Sequence, residues 1–452
     1  MGSDEQYYPR HLVFVPCPYQ GHINPMLQLA TILHSRGFSI SILHAHFNSP
    51  SPRNHPHFKF ISIPDGLPDE LVSSGNIPAI LLAVNANCGK PLMDLTARMM
   101  MRGEKSSSSD IACIIYDELM YCSEAVAKSL GLPSVMLRTN TVSTFIARDH
   151  VLKLIDQGRV PLQDSILDQP VPKHYPLRYK DLPISIFKPV TNFIEIVNNL
   201  REVRSSSAVI WNTMNCLENS LLAQVKQQCK VPIFTVGPMH KFSPPISTSL
   251  LKEDYTCIPW LDSQAPKSVI YVSLGSLACI SETELAEMAW GLANSNIPFL
   301  WVVRPGLVRG STALPTGFKQ AVGDRGRIVQ WAPQKEVLSH DAVGGFWSHC
   351  GWNSTMESIC EGVPLVCRPN FADQKVTARY VTHVWRVGLQ LEGDELEREV
   401  VSGTLRRLMI GEEGDEIRRR AEKVRGEVEV ETTKGGSSVK DLDELVNMIR
   451  SF

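Results

Sequence analysis

The segment that begins at Trp331 and ends at Gln374 reads WAPQKEVLSHDAVGGFWSHCGWNSTMESICEGVPLVCRPNFADQ. Its apolar run at 343–347 is typical of a buried strand, and a polar turn at 348–353 follows it. Ser354 then stands three residues before Glu357, which is the spacing of a capping box at the start of a helix. Unpaired backbone N–H groups and the helix dipole attract an anion at such a point. The segment therefore predicts a phosphate or diphosphate site, with His349 as a further hydrogen-bond donor.

A second strand in the same segment, at 364–367, leads into a polar turn at 370–374. Ligands of open α/β sheets bind outside the carboxyl ends of the strands, where this turn lies. The turn is therefore a second place at which a ligand is expected.

The spacing of the polar residues makes this segment specific. It resembles the signature box of the plant UDP-dependent glycosyltransferases, the family-1 secondary-product enzymes, which starts at a Trp, contains HxGWNSxxE and closes on Asp/Glu-Gln. The stretch VPCPYQGHINPMLQLA near the start and KGGSS near the end resemble the branch that contains steviol-glycoside and cytokinin glucosyltransferases. The resemblance covers essentially the full chain, and the residues of the box in register are His349, Gly351, Trp352, Asn353, Ser354, Glu357, Asp373 and Gln374.

The resemblance implies a binding site for a UDP-sugar. Trp331 would stack on the uracil, Glu357 would accept hydrogen bonds from the ribose, and the amides around Asn353 would meet the diphosphate. Asp373 and Gln374 would bind hexose hydroxyls, and a Gln at the end of the box is associated with glucose in the family. The donor-binding residues expected on this basis are Gly21, Thr139, Ser276, Trp331, Ala332, Gln334, His349, Gly351, Trp352, Asn353, Ser354, Glu357, Asp373 and Gln374.

For four of these positions the residues themselves leave a structural alternative open. Trp331 and Trp352 are also consistent with packing in a core, and Glu357 with a capping-box partner of Ser354. Ser276 is consistent with a plain strand-to-helix turn.

Strands and helices alternate through both halves of the chain. Strands are predicted in the first half at 12–15, 39–43, 59–63, 111–116, 134–137, 208–211 and 233–236, and in the second at 268–274, 297–303 and 328–330 in addition to the box. Such alternation predicts an α/β protein with two doubly wound parallel sheets. The resemblance implies the GT-B fold, in which two Rossmann-like lobes face each other across a cleft. The expected domains are an N-terminal acceptor lobe at 1–237, a linker at 238–256 and a C-terminal UDP-sugar lobe at 257–436, with the last helix, about 437–452, crossing back to the first lobe.

His22 is the candidate general base. It lies in the first βα loop near a helix start at Asn24 and Pro25, where the dipole disfavours an imidazolium ion. Asp117 ends the strand at 111–116, so its carboxylate should emerge at the same sheet edge and support the imidazole. Alone, each residue is also consistent with a capping role. The resemblance supports the catalytic reading, because Gly-His in the first loop supplies the base in this family.

Composition limits the classes of function. The 452 residues are 43% hydrophobic and 20% charged with a net charge of −2, so a globular chain of two or three domains is expected, with no electrostatic case for nucleic acid. The 11 cysteines show no regular spacing, which indicates reduced thiols and a cytoplasmic location. No signal peptide or membrane span is recognisable, and a monomer is expected.

No metal or other cofactor is expected. The DxD at Asp441 and Asp443 lies in a predicted helical tail and is typical of a solvated face. Helix dipole, backbone amides and His349 could instead stabilise a departing diphosphate.

The predicted reaction is inverting transfer of glucose from UDP-glucose to a hydroxyl, nitrogen or carboxyl group of a small lipophilic plant metabolite. The alternatives are another UDP-sugar, an inactive binding protein, or an NAD-linked oxidoreductase; the last lacks the required G-x-G-x-x-G after the first strand. The acceptor pocket is expected in the variable N-terminal loops and at the rim of the sugar site, with Leu81, Asn85, Cys88, Met120, Asn140, Phe145, Phe193 and Phe371 as candidates.

Overall fold

The computed structural model describes residues 10–103, 111–184, 187–201, 203–244, 246–311, 313–391, 393 and 395–452. Residues 104–110, a charged and Ser-rich stretch of the sequence, and residues 185–186 lie outside these ranges.

The chain forms two compact units. The first comprises the described residues of Met1–Leu152, Ile184–Leu250 and Glu431–Phe452, and the second comprises those of Lys153–Pro183 and Leu251–Val430. The boundaries predicted from sequence place 153–183 in the first lobe, whereas the structure groups this segment with the second unit. The reason is a buried pairing: Arg379 contacts the Asp181 carboxylate at 3.3 Å and donates to the Pro176 carbonyl.

The first unit contains a seven-stranded parallel sheet in the order β3-β2-β1-β4-β5-β6-β7. Apart from the edge strand β3, its strands are almost continuously buried, as parallel strands covered on both faces must be. The order reverses between β1 and β4, so their carboxyl ends form the switch point at which such sheets bind ligands. The strands are β1 His11–Val15, β2 Ser39–Ala45, β3 Lys59–Ile63, β4 Ile111–Asp117, β5 Ser134–Arg138, β6 Ala208–Trp211 and β7 Ile233–Thr235.

The second unit contains a six-stranded parallel sheet in the order β12-β10-β8-β13-β14-β15, with a separate two-stranded pair of β9 and β11. Here the switch point lies between β8 and β13. The strands are β8 Val269–Ser273, β9 Ile280–Ser281, β10 Phe299–Val302, β11 Val308–Arg309, β12 Gly326–Val329, β13 Val343–Ser348, β14 Leu365–Cys367 and β15 Gly388–Gln390.

The helices between these strands cover the sheets. They are α1 Gln20–Ser35, α2 Asp69–Ser73, α3 Ile77–Gly103, α4 Cys122–Ser129, α5 Val142–Asp156, α6 Val190–Arg201, α7 Asn215–Gln228, α8 Met239–Phe242, α9 Cys257–Asp262, α10 Glu282–Ser295, α11 Phe318–Val322, α12 Gln334–Ser339, α13 Trp352–Cys360, α14 Asp373–Arg379, α15 Arg398–Met409, α16 Glu412–Thr432 and α17 Ser437–Ser451. Shorter 3₁₀ turns lie at Pro52–Asn54, Asp164–Ile166, Tyr179–Asp181 and Gly323–Arg325, and a π-helical turn lies at Tyr380–Val384.

The expected α/β architecture with two parallel sheets is confirmed. All eleven cysteines are unpaired. A search of the described helices finds none whose length and apolar character would suit a membrane span.

Candidate functional site

His22 lies in the first turn of α1, which begins at Gln20 and not at the predicted Asn24–Pro25 start. Its Nδ1 atom is 2.8 Å from Oδ2 of Asp117, the last residue of the adjacent strand β4. A carboxylate can only accept, so Nδ1 carries the proton and Nε2 is the unprotonated nitrogen. The imidazole is 24% exposed while the carboxylate is fully buried, so the pair presents a nitrogen base to solvent from a fixed support.

Asp117 is itself held in place. Its Oδ1 accepts from the Leu119 amide at 2.9 Å, and its carbonyl accepts from the Met120 amide at 2.7 Å. These bonds leave Oδ2 directed at the imidazole. The arrangement can orient the ring and stabilise the positive charge that appears when Nε2 takes a proton.

Thr139 contacts the same imidazole nitrogen. Its hydroxyl oxygen is 3.0 Å from His22 Nδ1, and the residue is buried just after β5. The sequence interpretation gave Thr139 a sugar contact only, and the contact with His22 was missed. Strand order could have suggested it, because β4 and β5 are neighbours whose carboxyl ends meet at one edge.

The neighbouring carboxylate of Glu118 has a different environment. It is fully buried and pairs with Arg138 at 3.0 Å and with Arg148 at 3.2 Å, and Asn140 also donates to it. The Arg138 guanidinium lies 4.3 Å from the centre of the Phe145 ring. The two adjacent acids at the end of β4 therefore have different partners, and Glu118 belongs to a buried ion-pair network.

Cys17 lies beside the His22–Asp117 pair, and the three ligand atoms all fall within 4.8 Å of one another. Such a set could contact a metal ion. However, burial and the nearby Asp117 charge raise the pKa of the Cys17 thiol well above its ordinary value, so the thiol stays protonated, and His22 and Asp117 are bonded to each other. This donor set suits proton transfer better than metal binding.

In the second unit, His349 follows β13, and its ring packs against two glycines. A Cβ atom built on Gly275 or Gly351 would lie 2.5 or 2.4 Å from the His349 ring, so both positions require glycine. The pKa of His349 falls to about 4, chiefly because of burial; a hydrogen bond with the Ser273 backbone opposes this, and the Arg304 charge lowers it further. The imidazole is therefore a neutral hydrogen-bonding group at neutral pH.

Helix α13 begins at Trp352, with Gly351 as N-cap and no side-chain cap. The predicted capping box is wrong: the Glu357 side chain accepts from Gln334 Nε2 at 2.6 Å, and Gln334 also donates to the Ser354 hydroxyl at 2.9 Å. Burial raises the pKa of Glu357, and the Gln334 hydrogen bond opposes the rise.

The two tryptophans of the box differ. Trp331 is partly exposed and lies outside the buried core, whereas Trp352 is 3% exposed with its ring centre 6.0 Å from that of Trp385. Packing therefore accounts for Trp352 more readily than for Trp331. Ala332 is buried next to Trp331, and Gly21 is exposed at the start of α1.

The end of the box forms a tight turn before α14. Ala372 has a φ of 53°, and Gln374 Oε1 accepts from the amides of Asn370 at 2.9 Å and Phe371 at 3.2 Å. Gln374 thus holds the turn with its oxygen, and its amide nitrogen remains the atom suited to a ligand oxygen. Asp373 stands in the first turn of α14.

The predicted acceptor residues fall into two groups. Leu81, Cys88 and Met120 are buried in the apolar core of the first unit, and Asn85 is occupied by the Leu81 and Leu119 carbonyls and the Cys122 amide. Phe193 and Phe371 are partly exposed. Phe145 lines a small indentation between α5 and α6, together with Arg148, Asp149, Leu152, Val197, Leu200 and Arg201.

Comparison with known proteins gives consistent results. The family described as "UDP-glucoronosyl and UDP-glucosyl transferase" matches residues 251–416. UDP-glycosyltransferase 76E1 of Solanum lycopersicum is 46% identical over 98% of this chain and 92% of its own length. Flavonol 3-O-glucosyltransferase UGT76E12 of Arabidopsis thaliana is 44% identical over 100% of this chain and 99% of its own length. A crystal structure of Medicago truncatula UGT71G1 complexed with UDP-glucose covers 98% of both chains, with a TM-score of 0.82 and 25% identity.

Proposed function

The chain belongs to the plant family-1 UDP-glycosyltransferases, hexosyltransferases with the GT-B fold that act on plant small molecules, and on this premise we propose that it transfers glucose from UDP-glucose to a hydroxyl of a lipophilic acceptor with inversion, giving a β-glucoside. The observation that carries the proposal is the 2.8 Å contact between His22 Nδ1 and the buried Asp117 carboxylate at the switch point of the first sheet.

The base is His22 Nε2. It removes the proton of the acceptor hydroxyl as the oxygen attacks the anomeric carbon, and Asp117 stabilises the resulting imidazolium. Attack on the face opposite the leaving UDP inverts the anomeric centre. The buried position of Asp117 supports this role, because a carboxylate away from water interacts more strongly with a charge that develops beside it.

The donor is held by the second unit. The amides at the start of α13, the Ser276 turn and the neutral His349 bind the diphosphate, and Glu357 accepts from the ribose hydroxyls. Trp331 stacks on uracil, whose polar edge meets Ala332 and Gln334, and Asp373 and Gln374 bind the glucose hydroxyls. The partial exposure of Trp331 and the use of the Gln374 side-chain oxygen, rather than its nitrogen, in the turn support these assignments.

The reaction proceeds without a metal ion. Departing UDP is stabilised by backbone amides and the helix dipole, which carry fixed partial positive charge and need no reorganisation. The Asp441–Asp443 pair of the DxD sequence serves the structure instead: Asp441 accepts from the Thr235 amide at 2.7 Å, and Asp443 pairs with Arg36 at 2.7 Å.

The test is turnover of UDP-glucose with a panel of phenols, a flavonol among them because one relative is a flavonol 3-O-glucosyltransferase. Product analysis should show a β-linked glucose. His22→Ala should lose about 10²–10⁴-fold in kcat and Asp117→Asn a comparable amount, while UDP affinity stays unchanged. An α-linked product, or full activity of His22→Ala, would refute the proposal.

A further inference from the structure

Arg304 is a buried cation in the second unit for which the sequence analysis proposed no role. It follows β10 and is 7% exposed. Its Nε donates to the Gly275 carbonyl at 2.8 Å, Nη1 to the Pro305 carbonyl at 3.1 Å, and Nη2 to the Ala278 carbonyl. No carboxylate within the described part of the chain forms an ion pair with it. The Cys279 side chain also contacts the guanidinium, but neither this thiol nor the three carbonyl groups is a carboxylate counter-ion.

A buried charge without a counter-ion is costly, and burial lowers the pKa of Arg304. Loop anchoring alone needs donors and not a net charge. A permanent positive charge is useful at this place if an anion binds nearby.

Arg304 and His349 meet at one residue. Gly275 accepts from the Arg304 guanidinium through its carbonyl, and its Cα packs so closely on the His349 ring that a Cβ would lie 2.5 Å from Cε1 and Nε2. Gly275 has a φ of 72°, which other residues rarely adopt. Gly275 therefore connects the Arg304 guanidinium with His349, against which it packs, and with Ser276, the next residue along the chain. His349 and Ser276 are the two side chains assigned to the diphosphate.

We propose that Arg304 is a positioning residue for the donor diphosphate, which holds the Gly275–Ser276 turn and transmits its charge through that peptide. A cation on the Gly275 carbonyl polarises the peptide group, so the N–H of Ser276 becomes a stronger donor to an anionic oxygen. Arg304 need not touch the ligand. The inference rests on the proposed function, since it assumes that a nucleoside diphosphate binds at this turn.

The test compares ligands that differ only in phosphate number. The full chain, Arg304→Gln and Arg304→Lys are titrated with uridine, UMP and UDP by calorimetry. Arg304→Gln should weaken UDP binding about tenfold or more and UMP binding less, and it should change uridine binding by no more than about twofold. The reason is that the electrostatic attraction lost with the guanidinium increases with the charge of the ligand. Arg304→Lys keeps the charge and should keep most of the UDP-to-uridine affinity ratio. Equal losses for all three ligands would show a merely structural role and overturn the inference.

Arg406 provides a matched control in the same unit, because its guanidinium also donates to two backbone carbonyls, those of Ser295 and Asn294. Arg406→Gln should leave all three affinities unchanged. If Arg304→Gln does not fold, Arg304→Met replaces it as the neutral variant, since an apolar chain of similar length needs no partner. Wild-type protein that fails to bind UDP would defeat the proposed function itself, whereas UDP binding with no charge-dependent loss defeats only the role of Arg304.

Discussion

The contact between Thr139 and His22 bears on how the proposed base is oriented. Two acceptors, the Asp117 carboxylate and the Thr139 hydroxyl, share the Nδ1 proton at 2.8 and 3.0 Å. Thr139→Val keeps the shape and removes the second acceptor. We expect kcat to fall about tenfold with every UDP-sugar alike, because the imidazole loses one of the two groups that orient it. A rise in the KM for UDP-glucose with unchanged kcat would instead show that the hydroxyl serves the sugar alone.

Glu357 links donor binding to stability at the residue scale. Burial raises its pKa in the folded chain, so the folded state keeps the proton to higher pH than the unfolded state. The stabilisation from that proton is present below the unfolded pKa and is lost as pH rises through the folded pKa. Glu357→Gln does not ionise, so its free energy of unfolding should exceed that of the wild type by on the order of 1 kcal/mol at neutral pH. The difference should be smaller in acid. The same variant should raise the KM for UDP-glucose about tenfold. Thermal melts from pH 4 to 8 and initial rates check both effects, and an unchanged KM would contradict the ribose role.

Single residues also show where sequence reasoning ends. His22, Asp117 and the signature box were visible because their spacing along the chain is specific. The roles of Arg138 and Arg304 were not visible in the sequence. The partner of Arg138 is a carboxylate 20 residues away and those of Arg304 are backbone carbonyls, and such contacts leave no local sequence pattern. The environment of Asn85 could not be read from the sequence for a related reason, because its amide is used by backbone groups distant along the chain or one helical turn away.

At the scale of elements, the strands were predicted well because apolar β-runs in a parallel sheet are continuous. The helix starts were not. Residues Gln20 and Trp352 begin α1 and α13 without a side-chain cap, so the local rules that place a cap at Asn24 or Ser354 had no feature to detect. The short strand Gly388–Gln390 was missed because three residues carry no period.

Helix α5 illustrates a cap supplied from far along the chain. The Glu218 carboxylate, from α7, accepts from the amides of Val142 at 2.9 Å and Ser143 at 3.0 Å and from the Thr213 hydroxyl at 2.7 Å. Glu218→Ala leaves these buried donors unpaired and should lower the free energy of unfolding by about 2–4 kcal/mol. Glu218→Gln keeps a hydrogen-bond acceptor and should lower the free energy of unfolding less. At the exposed position Glu195, the same substitution, Glu195→Gln, should change the free energy of unfolding little. Denaturant titration gives the energies, and hydrogen exchange at 142–144 locates the effect. A loss as small as that of Glu195→Gln would show that the cap contributes nothing.

At the scale of the molecule, the chain does not divide at one point. The sequence placed a single linker after residue 237, because Pro and Ser are dense there. The structure assigns 153–183 to the second unit, and this could not be read from composition, since the decisive contacts of Asp181 and Pro176 are made with Arg379, far along the chain.

The C-terminal helix α17 completes the first unit. Its Leu442, Leu445, Val446 and Ile449 are buried in one apolar cluster with Leu12 and Phe14 of β1. Leu445→Ala should therefore lower the free energy of unfolding of the first unit by about 2–5 kcal/mol, because the cavity it leaves lies against that sheet. Glu444→Ala, an exposed position on the same helix, should cost less than about 0.5 kcal/mol. Denaturation with and without UDP distinguishes the two units, because UDP should stabilise the transition of the second unit. In Leu445→Ala that transition should keep its midpoint, and the transition of the first unit should shift to a lower denaturant concentration. A shift of the UDP-stabilised transition alone would mean that α17 supports the donor-binding unit, and the assignment of the last 22 residues to the first unit would be wrong.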